Sequence, residues 1–205
     1  MDIKDNIEKL LSKGILKKEF YLQPTQEVAI NLLGKILMTI DSDGQIIAGK
    51  IVETEAYLNA NDKASHSHSG ITNRNEAMFE GGGVLYVYRS YGIHHCINVV
   101  TEAKGKGAAV LIRAMEPIEG LDLMKVNRGI DDIEKLCKGP GNTAKAFGFT
   151  KIDNFRSLTS YNLFIIAGED ISENDIISTK RVGISQSKDL LLRFYIKNSN
   201  FVSRK

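Results

Sequence analysis

The stretch I-V-E-T-E-A-Y-L-N-A-N-D-K-A-S-H, Ile51 to His66, decides how the rest of the chain is read. Taken with a period of two it is a β-strand, with Val52, Thr54, Ala56 and Leu58 on one side and Glu53, Glu55 and Tyr57 on the other. Two carboxylates and a phenol then lead into a polar loop that ends at a histidine. Such a row is either the wet face of an edge strand or one wall of a site.

Working outward, Lys35 to Ile40 forms a partner strand, Asp41-Ser42-Asp43-Gly44 is a hairpin turn, and Gln45 to Leu58 is the long return strand. Upstream, Q-P-T-Q-E-V-A-I-N-L-L-G predicts a helix capped by Thr25 and ended at Gly34. Downstream, residues 59–73 are too rich in Ser, Asn and His to form a core. E-G-G-G at Glu80–Gly83 then breaks the chain before the strand V-L-Y-V-Y. The turn S-Y-G, the strand H-C-I-N-V-V, the turn A-K-G-K-G and the strand A-A-V-L-I-R-A-M follow. Pro117 is placed to open a helix running to about Asn127. A short helix is expected near Cys137, another from K-G-P-G-N-T-A-K, and strands at Y-N-L-F-I-I and L-R-F-Y-I. The strands follow one another through hairpin-length links, with helices kept to the ends and one insertion. The expected class is α+β, a single domain over residues 20–205 with a curved, largely antiparallel sheet flanked by helices. Residues 1–19 form an extension in which Ile3, Ile7, Leu10 and Leu11 have the spacing of an amphipathic helix.

Composition excludes little but bounds the class. The 205 residues are 42% hydrophobic and 25% charged, as in an ordinary soluble globule. No run approaches the ~18 apolar residues of a membrane span, and the charged N-terminus lacks a signal-peptide core. Cys96 and Cys137 have neither paired nor zinc-like spacing, so a reduced, cytoplasmic protein is expected. The net charge of +2 points to no partner by itself. Its distribution is more telling: Lys188, Arg193, Lys197, Arg204 and Lys205 stand near the end against one acid, Asp189.

The aromatic pattern weighs toward a site. Tyr86 and Tyr88 share a strand face opposite Leu85 and Val87, and Tyr91 follows in the next turn. Tyrosines on two segments, with a carboxylate between them and His66 nearby, are the parts of a pocket for a flat ligand; a base stacked on such rings gains ~1–3 kcal/mol per contact. Asn98 lies in the otherwise apolar C-I-N-V-V, where it is either a satisfied core amide or the reader of a ligand edge. His66-x-His68 and His94-His95-Cys96 invite a metal, yet none of the established metal-binding patterns accompanies them, and no metal or other cofactor is expected. G-P-G-N-T-A-K is not a Walker loop, but it places backbone N–H groups at a helix start, where a nucleic-acid phosphate fits; a plain helix-turn-helix corner is the other reading.

The segments Q-P-T-Q-E-V-A-I-N-L-L-G-K, I-V-E-T-E-A-Y, N-R-N-E-A-M-F, L-Y-V-Y-R-S-Y-G-I-H-H-C-I-N-V-V, V-L-I-R-A-M-E-P-I-E-G, L-C-K-G-P-G-N, R-V-G-I and R-F-Y-I-K resemble, in order, the mammalian-type alkyladenine (3-methyladenine) DNA glycosylase family. The resemblance runs from about Phe20 to the end of the chain. It implies an enzyme that flips a damaged purine out of double-stranded DNA and hydrolyses its bond to the sugar. No lysine is placed to attack the sugar, so a monofunctional, monomeric enzyme of base excision repair working from the minor-groove side is expected; the alternative is a non-catalytic nucleic-acid-binding module that uses the tyrosines as a stacking platform. The family's fold would carry a protruding β-hairpin that inserts into DNA. Glu55 matches the carboxylate that activates water, and Arg113 a residue that arranges the nucleophile. Tyr57, His66 and Tyr88 match the base-sandwiching positions, and Asn98 the amide that screens the purine edge. Tyr91 matches the wedge that fills the gap left by the flipped nucleotide. Arg74, Arg89, Gly141 and Lys145 are expected along the DNA backbone. The loop S-H-S-G-I-T-N departs from the family's pattern of basic residues and a proline, and Arg89 stands where an apolar residue is common. Glu53 is expected to pair with a surface lysine.

Overall fold

The structure is a computed structural model that describes Glu8 and residues 11–204. The helix expected at Ile3–Leu11 therefore lies almost wholly outside the described residues. The fold is α+β, a single domain built on a curled antiparallel sheet rolled into a half-barrel. Its strands are β1 (Ile36–Ile40), β2 (Ile46–Tyr57), β3 (Leu85–Ser90), β4 (His94–Thr101), β5 (Ala108–Glu119), β6 (Thr159–Ser160), β7 (Leu163–Ile166), β8 (Ile176–Thr179) and β9 (Arg193–Ile196). The order across the sheet is β3-β4-β5-β2-β1-β7-β6, and β9 joins β2 to β8. Of the middle strands, β4 and β5 are the ones whose Val- and Ile-rich runs the sequence marks as apolar, while β2 carries the row of Glu53, Glu55 and Tyr57.

The long strand β2 organises the molecule. Along one edge it pairs with β5 over nearly its whole length. Along the other it pairs with β1 from Ile46 to Lys50 and with β9 from Glu53 to Glu55. The sheet forks there, so Glu53 and Glu55 sit where two strands diverge from a third. Two bulges mark the fork. On β2, Ile51 faces Met115 and Glu53 faces Ala114, which leaves Val52 extra; on β5, Ala114 and Ile112 face Glu53 and Thr54, which leaves Arg113 extra. A bulge bends its strand and re-aims the extra side chain. Strict alternation from Ile51 to Leu58 therefore fails, and Ile51 and Ala56, of opposite parity, share the main core.

That core packs the concave side of the sheet against the helices Thr25–Asn31, Leu121–Arg128 and Pro140–Ala146. A smaller cluster of Ile36, Met38, Ala48, Phe164 and Ile166 covers the other face of β1, β2 and β7. A third, under β3 to β5, joins Ala77, Met78, Tyr86, Val100 and Ala109.

Two local expectations are corrected. Thr25 is the first helical residue, not the cap: its hydroxyl bonds Thr101 and Glu102, tying the helix to the end of β4, while Pro24 stands at the cap position. Pro117 opens no helix. It lies inside β5 opposite Gly49, next to a register shift that absorbs its missing N–H. The helix Leu121–Arg128 begins only after Gly120, whose φ of +75° turns the chain out of the strand.

Candidate active site

Glu55 is completely buried, yet three donors meet its carboxylate. The Val182 N–H reaches Oε1 at 2.7 Å, the Tyr57 hydroxyl reaches Oε2 at 2.9 Å, and Arg113 Nη1 lies 3.3 Å from Oε1. Burial is the largest influence on this acid and raises its pKa above the ordinary carboxylate value; Arg113, the Val182 amide and Tyr57 pull it back down. A carboxylate offers about four acceptor positions, so one remains for a further donor.

Arg113, the bulged residue of β5, is aimed by the fork. Its Nε donates to Glu53 Oε1 at 3.1 Å, which leaves Nη1 toward Glu55. Among the described residues Glu53 pairs with no surface lysine. It is fully buried and also accepts from Arg193 Nε at 2.7 Å and from the Ser203 N–H at 2.6 Å. Two bulged strands and the C-terminal segment thus converge on one acid, whose role is to hold the guanidinium that faces the other.

These groups lie behind a cavity of about 600 Å³, within the usual range for a small-molecule site. Tyr57, His66, Arg74, Tyr86, Tyr88 and Asn98 all line it, with Arg113 and Val182 at its inner wall and Tyr91 at its rim. Glu55 does not open onto the cavity directly; its three partners do. Tyr86 and Tyr88 lie 5.4 Å apart, ring to ring, and the His66 ring stands edge-on to Tyr88 at 4.5 Å. His66 Nδ1 bonds the Tyr86 hydroxyl at 3.0 Å, and Asn75, which donates to the His66 and Gly70 carbonyls, fixes the loop beneath it. Burial of the ring, reinforced by the charge of Arg74, lowers the His66 pKa to about 4, so it is neutral near pH 7. Burial raises the Tyr88 phenol far above its usual range and the Tyr86 phenol to about 12, so both keep their protons.

Asn98 resolves its two readings together. Its amide donates to the Tyr86 carbonyl at 3.1 Å, which satisfies a buried group, and the residue still lines the cavity. At the rim, Tyr91 is 87% exposed in the turn of the β3–β4 hairpin, with φ of +49° ahead of Gly92. Arg74 lies 5.6 Å from the Tyr88 ring centre and donates to the Arg89 carbonyl, while the Arg89 and Lys145 side chains are exposed. A Cβ at Gly141 would come within 3.0 Å of His94, so a glycine lets the start of the helix Pro140–Ala146 lie against the hairpin. Lys145 is not among the cavity's lining residues. Among the described residues, no three His, Cys, Asp or Glu side chains gather as a metal site, and no helix is long and apolar enough to cross a membrane.

Four participants lie outside the residues singled out by pattern: the Val182 amide, Arg181 before it, Asp62 and Asn75. R-V-G-I and N-R-N-E-A-M-F are distinctive segments, but period-two reading reports which face a side chain takes, not which distant loop closes over it.

A buried acid held by an arginine and a backbone amide thus lies behind a cavity walled by aromatic rings. Comparison with known proteins gives the family. The model of the methylpurine-DNA glycosylases matches residues 19–200. A relative from Chlorobium phaeobacteroides strain BS1 is 48% identical over 93% of this chain and 96% of its own length. Others from Methanoculleus marisnigri and Carboxydothermus hydrogenoformans are 46% and 44% identical, each over 93% of this chain and 99% and 100% of their own. All three are provisionally named 3-methyladenine DNA glycosylases. The chain belongs to the methylpurine-DNA glycosylase family, and is thus an enzyme that acts on DNA.

Proposed function

We propose that this chain is a monofunctional glycosylase of base excision repair that turns alkylated or deaminated purines out of duplex DNA and hydrolyses their bond to the sugar. The relatives' names supply 3-methyladenine as the first substrate to test. The observation that carries the reading is Glu55, gripped by Arg113, Val182 and Tyr57 directly behind a cavity walled by aromatic rings.

The chemistry follows from the site. A damaged or poorly paired base leaves the stack at the lowest cost, a few kcal/mol. The exposed Tyr91 ring acts as the wedge that offsets this cost from the minor-groove side, with the β3–β4 hairpin as its support. The extruded purine stacks among Tyr57, His66 and Tyr88. A neutral His66 matters here, because an imidazolium would repel a base that is itself cationic. Asn98 fills the edge where guanine carries its exocyclic amine, which disfavours the normal base. Glu55 uses its remaining acceptor position to take a proton from water and stabilises the oxocarbenium-like sugar. Arg113 keeps Glu55 ionised and aimed. An alkylated purine needs no acid to leave because it carries its own positive charge. Arg74 and Arg89 near the hairpin, with Gly141 and Lys145 across from it, flank the DNA backbone. The enzyme acts as a monomer, over residues 20–205, with residues 1–19 as an extension.

The test is release of free base from duplexes that each carry one lesion (3-methyladenine, 7-methylguanine, hypoxanthine or an etheno adduct). Release of an alkylated base, leaving an abasic site and an unbroken strand, supports the reading. Strand cleavage concurrent with release, or no release from any duplex, contradicts it.

A further inference from the structure

Arg181 precedes Val182 in the segment between β8 and β9, and its side chain has no exposed surface. Nη1 and Nη2 each donate at 2.6 Å to a different oxygen of Asp62, and Nη1 also donates to the Ala56 carbonyl at 2.9 Å. The centre of the guanidinium lies 4.6 Å from the centre of the Tyr57 ring. Asp62 in turn accepts from the Leu58 and Ala64 amides, which fixes the loop leading to His66.

A buried ion pair is weak evidence for stability, since apolar replacements of similar size often serve as well. What a two-pronged arginine supplies is orientation. Here the orientation comes with an unmet donor: Arg181 Nε is buried without a partner among the described residues. Such a defect calls for an explanation, and the surroundings give one. The guanidinium touches the two residues that follow Glu55, and its own successor donates to Glu55.

The geometry points to Arg181, held by Asp62, as a positioning residue for base excision: it sets the Tyr57 ring, the loop to His66 and the Val182 N–H on Glu55 together. This rests on the glycosylase reading. Loosening the fork frees Tyr57 to turn and withdraws the amide from the carboxylate. An N–H donor stabilises the ionised acid, so its loss raises the pH at which Glu55 takes up a proton. The charged and titratable groups facing Glu55 are Arg113, Glu53, Tyr57, Tyr88, Cys96 and Arg181 itself. Arg181→Lys keeps the positive charge and removes only the fork.

The experiment is the pH dependence of single-turnover release of a methylated purine from duplex DNA, with enzyme in excess. Arg181→Lys and Asp62→Asn are compared with Met38→Ala, a buried change in the small cluster on the far sheet face. The fork variants are expected to slow release about 10- to 100-fold, the usual scale of a misplaced catalytic group, and to move the acid limb to higher pH. Met38→Ala is expected to lower the melting temperature while keeping the wild-type rate and limb. Wild-type kinetics in the fork variants, slowing with the limb unmoved, or failure of both to fold would each overturn the proposal. Loss of release in wild-type protein would instead overturn the glycosylase reading, and is seen separately.

Discussion

At the scale of residues, two carboxylates two positions apart take opposite roles because different groups meet them. Glu53 receives Arg113, Arg193 and Ser203, and all of its capacity goes to structure. Glu55 receives fewer partners and keeps a place for one more. Its pKa is raised above 4.5, chiefly by burial. On the proposed mechanism the ionised form is the active one, so excision of a cationic base should be present above that raised pKa and lost as pH falls through it. A rate–pH profile with an acid limb above pH 4.5 checks this; His66, whose pKa burial lowers to about 4, takes up most of its proton below that limb. Asn98→Ala opens the purine edge and leaves the Tyr86 carbonyl without its donor. Discrimination against guanine-type bases should fall by about 1–3 kcal/mol, the worth of one such contact, measured as the ratio of release rates for guanine and adenine lesions.

At the scale of elements, the legible part was the part that repeats. Alternation and turn residues placed β1 and β2 with their hairpin and the β3–β4 hairpin within a residue or two of where they lie, and the start of β5, which runs four residues past its expected end. The bulges were not legible, because an extra residue leaves no mark in an alternating pattern until its partner strand is known. Arg113 and Pro117 are both such cases: one is re-aimed into the site, the other is tolerated in a strand. The aromatic cluster was legible for the same reason that Arg181 was not. Tyr86 and Tyr88 are neighbours on one strand, whereas Arg181 and Asp62 meet across 119 positions of chain. Close packing between elements also makes its own prediction. A Cβ at Gly82 would come within 2.3 Å of the Tyr21 carbonyl, where backbone cannot yield cheaply. Gly82→Ala should cost about 1–3 kcal/mol, seen as a lower urea midpoint with an unchanged slope.

At the scale of the whole molecule, the site is assembled from both halves of the chain. β2 and β5 supply the acid and the arginine, β3 and its following turn supply rings and the proposed wedge, and the final residues lock Glu53 from behind. Deleting Ser203–Lys205 removes two donors from a buried carboxylate. Stability should drop by about 1–3 kcal/mol, and excision should slow because Glu53, which aims Arg113, is held by two fewer donors; denaturant titration and a single-turnover assay read the two effects. On the proposed mechanism hydrolysis uses protein groups alone, so the rate should be the same in EDTA.

The most direct test is Glu55→Gln, assayed for release of a methylated base and for binding to the same damaged duplex. The substitution keeps size and an acceptor oxygen but cannot take a proton from water. Loss of release with binding retained is the predicted result. Release at the wild-type rate, or loss of binding in parallel with release, would contradict the assignment of Glu55 as the group that activates water.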